Sequence, residues 1–396
     1  MTTESKSLTK PRKPPVWNDP TYRAIFFQLL LLVLVVGFGL YIFNNTTANL
    51  ERQGIASGFG FLQTTAGFDI ITHLIDYTEE STYGRAFMVS LINTLILAAI
   101  GIVLATILGV IVGIARLSPN WLIARMATVY IETIRNIPLL LQIFFWYFAV
   151  LRSVPHPRDS MQIFDTFFLN NRGLYSPAPL LEQGFWLIPA ALGIAIIAII
   201  TIAIWAKRRQ ERTGQPFHTV WVSLGIFFGL PLLAAIVTGF PLTWEYPELK
   251  GFNFRGGMVI IPEFMSMLLA LSIYTAAFIA EIVRAGTQPV SHGQTEAAYA
   301  LGLRPGPTLR LVILPQALRV IIPPLTSQYL NLTKNSSLAA AIAYPELVSV
   351  FAGTVLNQTG QAVEIIAITM AVYLALSLLI SLFMNWYNQK MALVER

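Results

Sequence analysis

Stretches of about twenty consecutive apolar residues, nearly free of charge, recur near 24–43, 88–115, 185–206, 219–239 and 363–385. A helix needs about 20 such residues to cross the hydrocarbon of a bilayer. Three further stretches, about 126–151, 258–284 and 317–343, are long but interrupted by polar residues. The pattern therefore predicts an all-α polytopic membrane protein with about eight transmembrane helices. Helices are required because lipid offers the backbone no hydrogen-bond partners, and the alternation of a membrane barrel is absent. Only 12% of residues are charged, against about 25% in soluble domains. The chain has no cysteine, which excludes disulfides, thiolate nucleophiles and cysteine metal sites.

Lysine and arginine set the orientation. With the N-terminus in the cytoplasm, the inside segments hold Lys6, Lys10, Arg12, Lys13, Arg23, Arg116, Arg125, Lys207, Arg208, Arg209, Arg212, Arg304, Arg310, Arg319, Lys390 and Arg396. The outside segments hold Arg52, Arg85, Arg152, Arg158, Arg172, Lys250 and Arg255. This bias places both termini in the cytoplasm. It also accounts for the net charge of +6 without a nucleic-acid partner, since the basic residues flank apolar spans in the lipid bilayer. The run after the basic N-terminus is full length and lacks a small-residue cleavage site, so it reads as a retained span. The expected organisation is a tail (1–23), a first helix (24–43), an outer loop (44–87), and a first core part (88–151). An insertion with two additional spans (152–257) and a second core part (258–390) follow, with a loop at 285–316 and a tail at 391–396.

The loop between the sixth and seventh spans reads as a short capped helix. Ser291 is placed as N-cap, with Gln294 completing a capping box. Glu296 lies in the early turns, where the helix dipole favours negative charge. Ala297, Ala298 and Ala300 are strong helix formers with small side chains. Gly302 stands where a left-handed C-terminal cap is needed, and Arg304-Pro305-Gly306-Pro307 predicts a turn before a second helix near Thr308. A small, alanine-faced helix suits insertion into a groove on another protein, although capping chemistry alone fits any interhelical loop.

The spacing Glu296-Ala297-Ala298, three residues, Gly302, nine residues, Val312-Ile313-Leu314-Pro315 resembles the signature loop of permease subunits of binding-protein-dependent ABC importers. Val312 for isoleucine is the one departure. Asn93-Thr94-Leu95, Ala115-Arg116-Leu117-Ser118 and the run from Tyr130 to Gln142 resemble the polar amino-acid permeases. So do Ala280-Glu281 with Arg284, Pro315-Gln316-Ala317-Leu318-Arg319, and Lys334-Asn335-Ser336-Ser337-Leu338. The likeness covers about 88–150 and 258–390. The additional spans resemble the long general L-amino-acid and glutamate/glutamine/aspartate/asparagine permeases of Gram-negative inner membranes.

The resemblance implies a type I ABC importer permease core that carries polar L-amino acids by alternating access. It makes Glu296, Ala297, Ala298 and Gly302 the coupling helix that docks on cytoplasmic ATPase subunits. It implies a periplasmic amino-acid-binding protein and a second permease as partners, the latter a related, non-identical chain. ATP is then bound by the partner ATPase, and this chain needs no cofactor of its own. The sequence has no Walker phosphate loop and no dinucleotide fingerprint. His73, His156, His218 and His292 show no metal-ligand spacing, and no catalytic residue is expected.

Polar residues within spans are costly and point to function. Lys334, Asn335, Ser336 and Ser337 interrupt the seventh span. Snorkelling of Lys334 to an interface is one reading; lining of the substrate pathway is the other. Many members of the resembled family carry aspartate at Asn335, so asparagine here suits neutral or acidic substrates better than cationic ones. Glu132 with Arg135, and Glu281 with Arg284, have the i, i+3 spacing of helical ion pairs and serve as candidate gate or interface pairs. Met265, Met267 and the aromatic run 144–148 read as packing. The rival reading, an ion-coupled secondary transporter acting alone, predicts inverted repeats and broken helices with embedded ion ligands.

Overall fold

The computed structural model describes residues 20–52 and 57–391. Of the predicted tails (1–23 and 391–396), residues 1–19 and 392–396, with Lys6, Lys10, Arg12, Lys13 and Arg396, lie outside the described residues. Among the described residues, seven helices are long and apolar enough to cross a membrane, or eight if a bent pair counts as one span. The mostly helical, polytopic expectation holds.

The first helix, α1 (Pro20–Arg52), is apolar all round and nothing in its spanning window is buried. It continues past the predicted end at residue 43, because a helix need not stop where the membrane does. Next come α2 (Tyr83–Arg116) and α3 (Trp121–Asn136), then α4 (Leu139–Phe144), which continues as a π-helical segment to Leu151. The stretch predicted as one span over 126–151 is broken: α3 and the segment Leu139–Leu151 meet at 104°. Pro138 causes the break, because the residue before proline is driven to extended backbone, and Ile137 sits at φ −95°, ψ 125°. Gln142 covers the exposed helix end, its Nε2 donating to the carbonyls of Ile134 and Ile137 at 3.0 Å each.

The insertion contains the two expected helices, α5 (Leu187–Thr213) and α6 (Thr219–Val237), and in addition short strands absent from the sequence reading. Strands β1 (Met161–Ile163), β2 (Phe167–Asn170) and β3 (Gly173–Ser176) join β8 (Met258–Ile260) in one antiparallel sheet, in the order β1-β2-β3-β8. Phe164 and Asp165 both have positive φ (55° and 53°), the backbone of a tight hairpin turn between β1 and β2. Strands β4 (Ala178–Leu181) and β5 (Leu242–Glu245) form a stem from which the α5–α6 hairpin departs, with Leu181 opposite Leu242. Strands β6 (Glu248–Lys250) and β7 (Asn253–Arg255) make a small hairpin.

From β8 the chain runs directly into α7 (Pro262–Thr287), the most enclosed span. Ser266, Ala270, Ser272, Thr275, Ala276, Ala277 and Ala280 are all buried along it. Small side chains let neighbouring backbones approach, which is how helices gain packing in lipid where hydrophobic burial does not drive association. Helix α2 supplies the matching groove. A Cβ placed on Gly109 would stand 2.6 Å from Ile279 Cβ, and one on Gly113 would stand 2.8 Å from Val283 Cβ.

Helix α8 (His292–Ala300) follows, then α9 (Pro305–Thr308), a π-helical turn over Leu309–Ile313, and α10 (Leu314–Asn335). The second helix thus begins at Pro305 and not near Thr308: prolines in a first turn lack only N–H groups that would find no helical partner there. At Ser336 the helix tightens to 3-10 geometry as far as Ile342. A π-helical segment (Val348–Val355), α11 (Leu356–Thr359) and the last span α12 (Ala362–Met391) complete the chain. One apolar core lies among α2, α4, α7 and α10. A second cluster forms a cap from Phe61, Tyr77, Tyr83, Leu347, Phe351 and Ile365.

Candidate functional site

Three polar constellations stand on this scaffold. The first is α8, which lies beyond the end of α7 opposite the β-strands. Its C-terminus closes as the glycine was expected to close it: Gly302 has φ +77°, its N–H donates to Tyr299 O at 2.9 Å, and Leu303 N–H donates to Ala298 O at 3.1 Å. Those two bonds constitute a Schellman cap. The N-terminus departs from expectation. Ser291 has extended backbone but makes no side-chain cap, and Gln294 Oε1 instead accepts from Gln316 Nε2 of α10 at 3.3 Å. That cross-helix contact ties α8 to the start of the seventh span. Ala298 faces inward and is buried, whereas Gln294, Glu296, Ala297 and Ala300 are exposed. Leu301, at the tip, is 82% exposed, an apolar knob that the sequence reading passed over.

The second constellation lies near the same end of α7. Glu281 accepts from Arg284 (Nη2–Oε1 2.5 Å), as the i, i+3 spacing predicted, and also from Arg116 at the end of α2. One carboxylate thus fastens two cationic side chains and two helices. The analogous pair in α3 does not form. Glu132 and Arg135 make no ion pair, and the Arg135 guanidinium lies 5.0 Å from the centre of the Phe278 ring. An aromatic face in α7 competes well with an exposed, solvated carboxylate.

The third constellation surrounds Glu346, which is fully buried. Its carboxylate accepts the backbone N–H groups of Val348 (2.9 Å) and Ser349 (2.7 Å) and the hydroxyl of Tyr373 (3.0 Å). Burial pushes this carboxyl up to about 7, while the hydrogen bonds pull it the other way. Asn93 and Thr94 of α2 hold the same linker: Asn93 Nδ2 donates to Thr72 O (2.8 Å) and Pro345 O (2.9 Å), and Thr94 Oγ1 accepts from Leu347 N (3.0 Å). Helix α2 has 34 residues, a length of about 51 Å against about 30 Å of hydrocarbon. Its first turns can therefore stand beside this linker outside the lipid.

The predicted pathway residues divide here. Ser336 is buried, donates to Thr333 O at 2.7 Å and lies 3.4 Å from Tyr373 Oη, at the edge of the Glu346 network. Lys334 is exposed, and Asn335 and Ser337 are half-buried.

Against this geometry, residues 191–393 match the model of the family described as binding-protein-dependent transport system inner membrane component. The chain is also 58% identical over 378 residues to the general L-amino acid transport system permease protein AapQ of Rhizobium johnstonii, covering 96% of this chain and 94% of that one. The chain belongs to this permease family. It is equally 58% identical to the putative amino-acid ABC transporter permease protein YhdX of Escherichia coli, over 96% of both chains. The glutamate/glutamine/aspartate/asparagine transport system permease protein BztB of Rhodobacter capsulatus is 45% identical over 96% of each chain. The insertion with α5, α6 and the strands lies inside these nearly full-length matches.

The Glu346 network gives the permease a measurable property. Glutamine at this position offers one acceptor oxygen to three donors and turns an amide N–H toward one of them. Glu346→Gln is expected to destabilise the solubilised permease by about 1–3 kcal/mol. Thermal unfolding followed by tryptophan fluorescence measures this, and an unchanged midpoint would show that the network carries no load.

Proposed function

We propose that this permease imports polar L-amino acids across the inner membrane, with both termini in the cytoplasm and ATP hydrolysed on a separate subunit. The observation that carries the reading is α8: a Schellman-capped helix presenting Glu296, Ala297 and Leu301 to solvent at the far end of α7 from the strands. Its small-residue face fits a groove on an ATPase subunit. The Gln294–Gln316 contact joins α8 to α10 and the Arg116–Glu281–Arg284 cluster joins α2 to α7, whose end runs on into α8, so a pull on α8 reaches the spans that enclose the core. In this reading, ATP binding draws two coupling helices together, a pair of related but non-identical permeases opens outward to a docked binding protein, and hydrolysis restores the inward-facing state. The names of AapQ, YhdX and BztB support amino acids as cargo. Lys334 beside Asn335, with no aspartate to balance it, favours neutral or acidic side chains over cationic ones.

Reconstitution tests this directly. Vesicles containing the permease with its ATPase, partner permease and binding protein are expected to accumulate glutamate or glutamine when supplied with ATP, and arginine more slowly. The permease alone is expected to accumulate neither. Gradient-driven uptake by the isolated chain would sink the proposal, and faster uptake of arginine would sink its specificity.

A further inference from the structure

The α5–α6 hairpin stands apart from the machinery described above. The two helices pack principally on each other. No residue of α6 is buried, and in α5 only Ala195 and Ala206 are. The hairpin leaves the β4–β5 stem and returns to it, so its tip at 214–218 lies at the end away from the strands. Helix α7 also leaves the strand layer, from β8, and runs to α8; the hairpin tip therefore shares the side of α8.

At that tip the chemistry changes abruptly. Helix α5 has 27 residues, about 40 Å of helix, so its last two turns emerge from about 30 Å of hydrocarbon. These turns carry Lys207, Arg208, Arg209 and Arg212, against Glu211 as the sole acid between 187 and 237. Among the described residues, none of the four cations has a carboxylate within 4 Å. Arg209 is held in place, 5.5 Å from the centre of the Trp205 ring and 6.0 Å from that of Phe217, with Nη2 donating to Gln215 Oε1 at 3.4 Å. Trp205 and Phe217 themselves meet edge to face at 5.2 Å. Lys207, Arg208 and Arg212 remain exposed, with Arg208 and Arg212 one turn apart on one face. Immediately inward, the exposed surface is apolar, with Ile200, Ile204 and Trp205 uncovered.

An exposed cationic collar directly beneath an uncovered apolar face matches one occupant in shape and charge. We propose that the end of the α5–α6 hairpin is a binding site for anionic phospholipid, with the headgroup phosphate on Lys207, Arg208 and Arg212 and the acyl chains along the exposed helix faces. Lipid is then the main packing partner of a hairpin that the rest of the permease leaves bare. The proposal rests on the permease being embedded in a membrane, and is independent of which substrate or ATPase it uses.

Native mass spectrometry of the full chain in neutral detergent tests it, with phosphatidylglycerol and phosphatidylcholine of identical acyl chains as probes. The wild-type chain is expected to retain phosphatidylglycerol preferentially, and less so as salt is raised. Removing three headgroup cations, each worth about fivefold at a membrane surface, is expected to lower that preference about a hundredfold in the variant K207Q/R208Q/R212Q. The variant R158Q/K250Q, on the strand layer, is expected to bind as wild type does. Equal retention of the two lipids by the wild-type chain overturns the proposal, as does undiminished retention by the triple variant or displacement by millimolar inorganic phosphate. A triple variant that loses only its co-purifying ATPase assigns the collar to a protein contact and overturns it equally. If the triple variant fails to fold, the salt dependence of the wild-type preference decides the matter alone.

Discussion

Gly109→Leu is expected to remove most of the folded permease from the membrane. Helices α2 and α7 meet through residues that lack bulk, Gly109 and Gly113 among them. Even a single added carbon would stand 2.6 Å from both Ile279 Cβ and Cγ2, and 3.0 Å from the backbone oxygen of Ala276. Ile279 Cβ is decisive, because the α7 backbone fixes its position and no rotation of the side chain moves it away. The two spans must separate, and with them goes the close packing that holds helices together in lipid. Overpacking commonly costs about 1–3 kcal/mol; a branched side chain against backbone belongs at or above the top of that range. The measurement is the yield of monodisperse protein in mild detergent, together with its thermal midpoint. Gly37→Leu in α1 is the control, since nothing lies within 4 Å of a Cβ there, and it is expected to match wild type. Ile279→Ala is not expected to rescue Gly109→Ala, because alanine keeps the Cβ that would stand 2.6 Å away. Equal yields and midpoints for Gly109→Leu and Gly37→Leu would refute the close-packing account.

This contact is legible in the sequence as a stripe of small residues. Gly101, Ala105, Gly109 and Gly113 recur every four residues in α2, the small-residue stripe of a close helix pair. The spans themselves were plain, since a run of apolar residues needs no tertiary knowledge to be recognised. The break at Pro138 was visible too, and was lost because hydropathy ignores backbone geometry. Other features were beyond local reading. Strands of three or four residues carry too little alternation to detect, and β4 pairs with β5 only after two membrane helices intervene. The spacing of Glu281 and Arg284 foretold their bond, but Arg116 reaches Glu281 from 165 positions away. Glu346 is a lone acid after a proline; what makes it central is Tyr373, brought to it from the last span. The capping box at Ser291 obeyed the local rule and failed because Gln294 found a partner in α10.

Leu301→Asp is expected to uncouple the permease from its ATPase while leaving the permease itself intact. The leucine is 82% exposed and occupies the C-cap of α8, where its backbone N–H donates to Ala297 O at 3.1 Å. Aspartate keeps that backbone bond, and its charge at the exposed helix C-terminus costs only about 0.3–1 kcal/mol. In the proposed docking of α8 on an ATPase subunit, this exposed apolar side chain at the helix end enters a pocket of that subunit. Full burial of a leucine contributes about 1.5–3 kcal/mol, and seating an unpaired carboxylate in the same pocket costs a further amount of about the same size. The combined effect corresponds to a loss of association of a hundredfold or more at about 1.4 kcal/mol per decade. Co-purification of the ATPase on tagged permease, and ATP-driven uptake in reconstituted vesicles, should both collapse. The thermal midpoint of the isolated permease should fall by no more than about 2 °C. Ala297→Trp, which adds bulk to the exposed small face, is expected to have the same effect by obstruction. A Leu301→Asp permease that still retains its ATPase and transports normally would show that docking takes place away from the tip of α8.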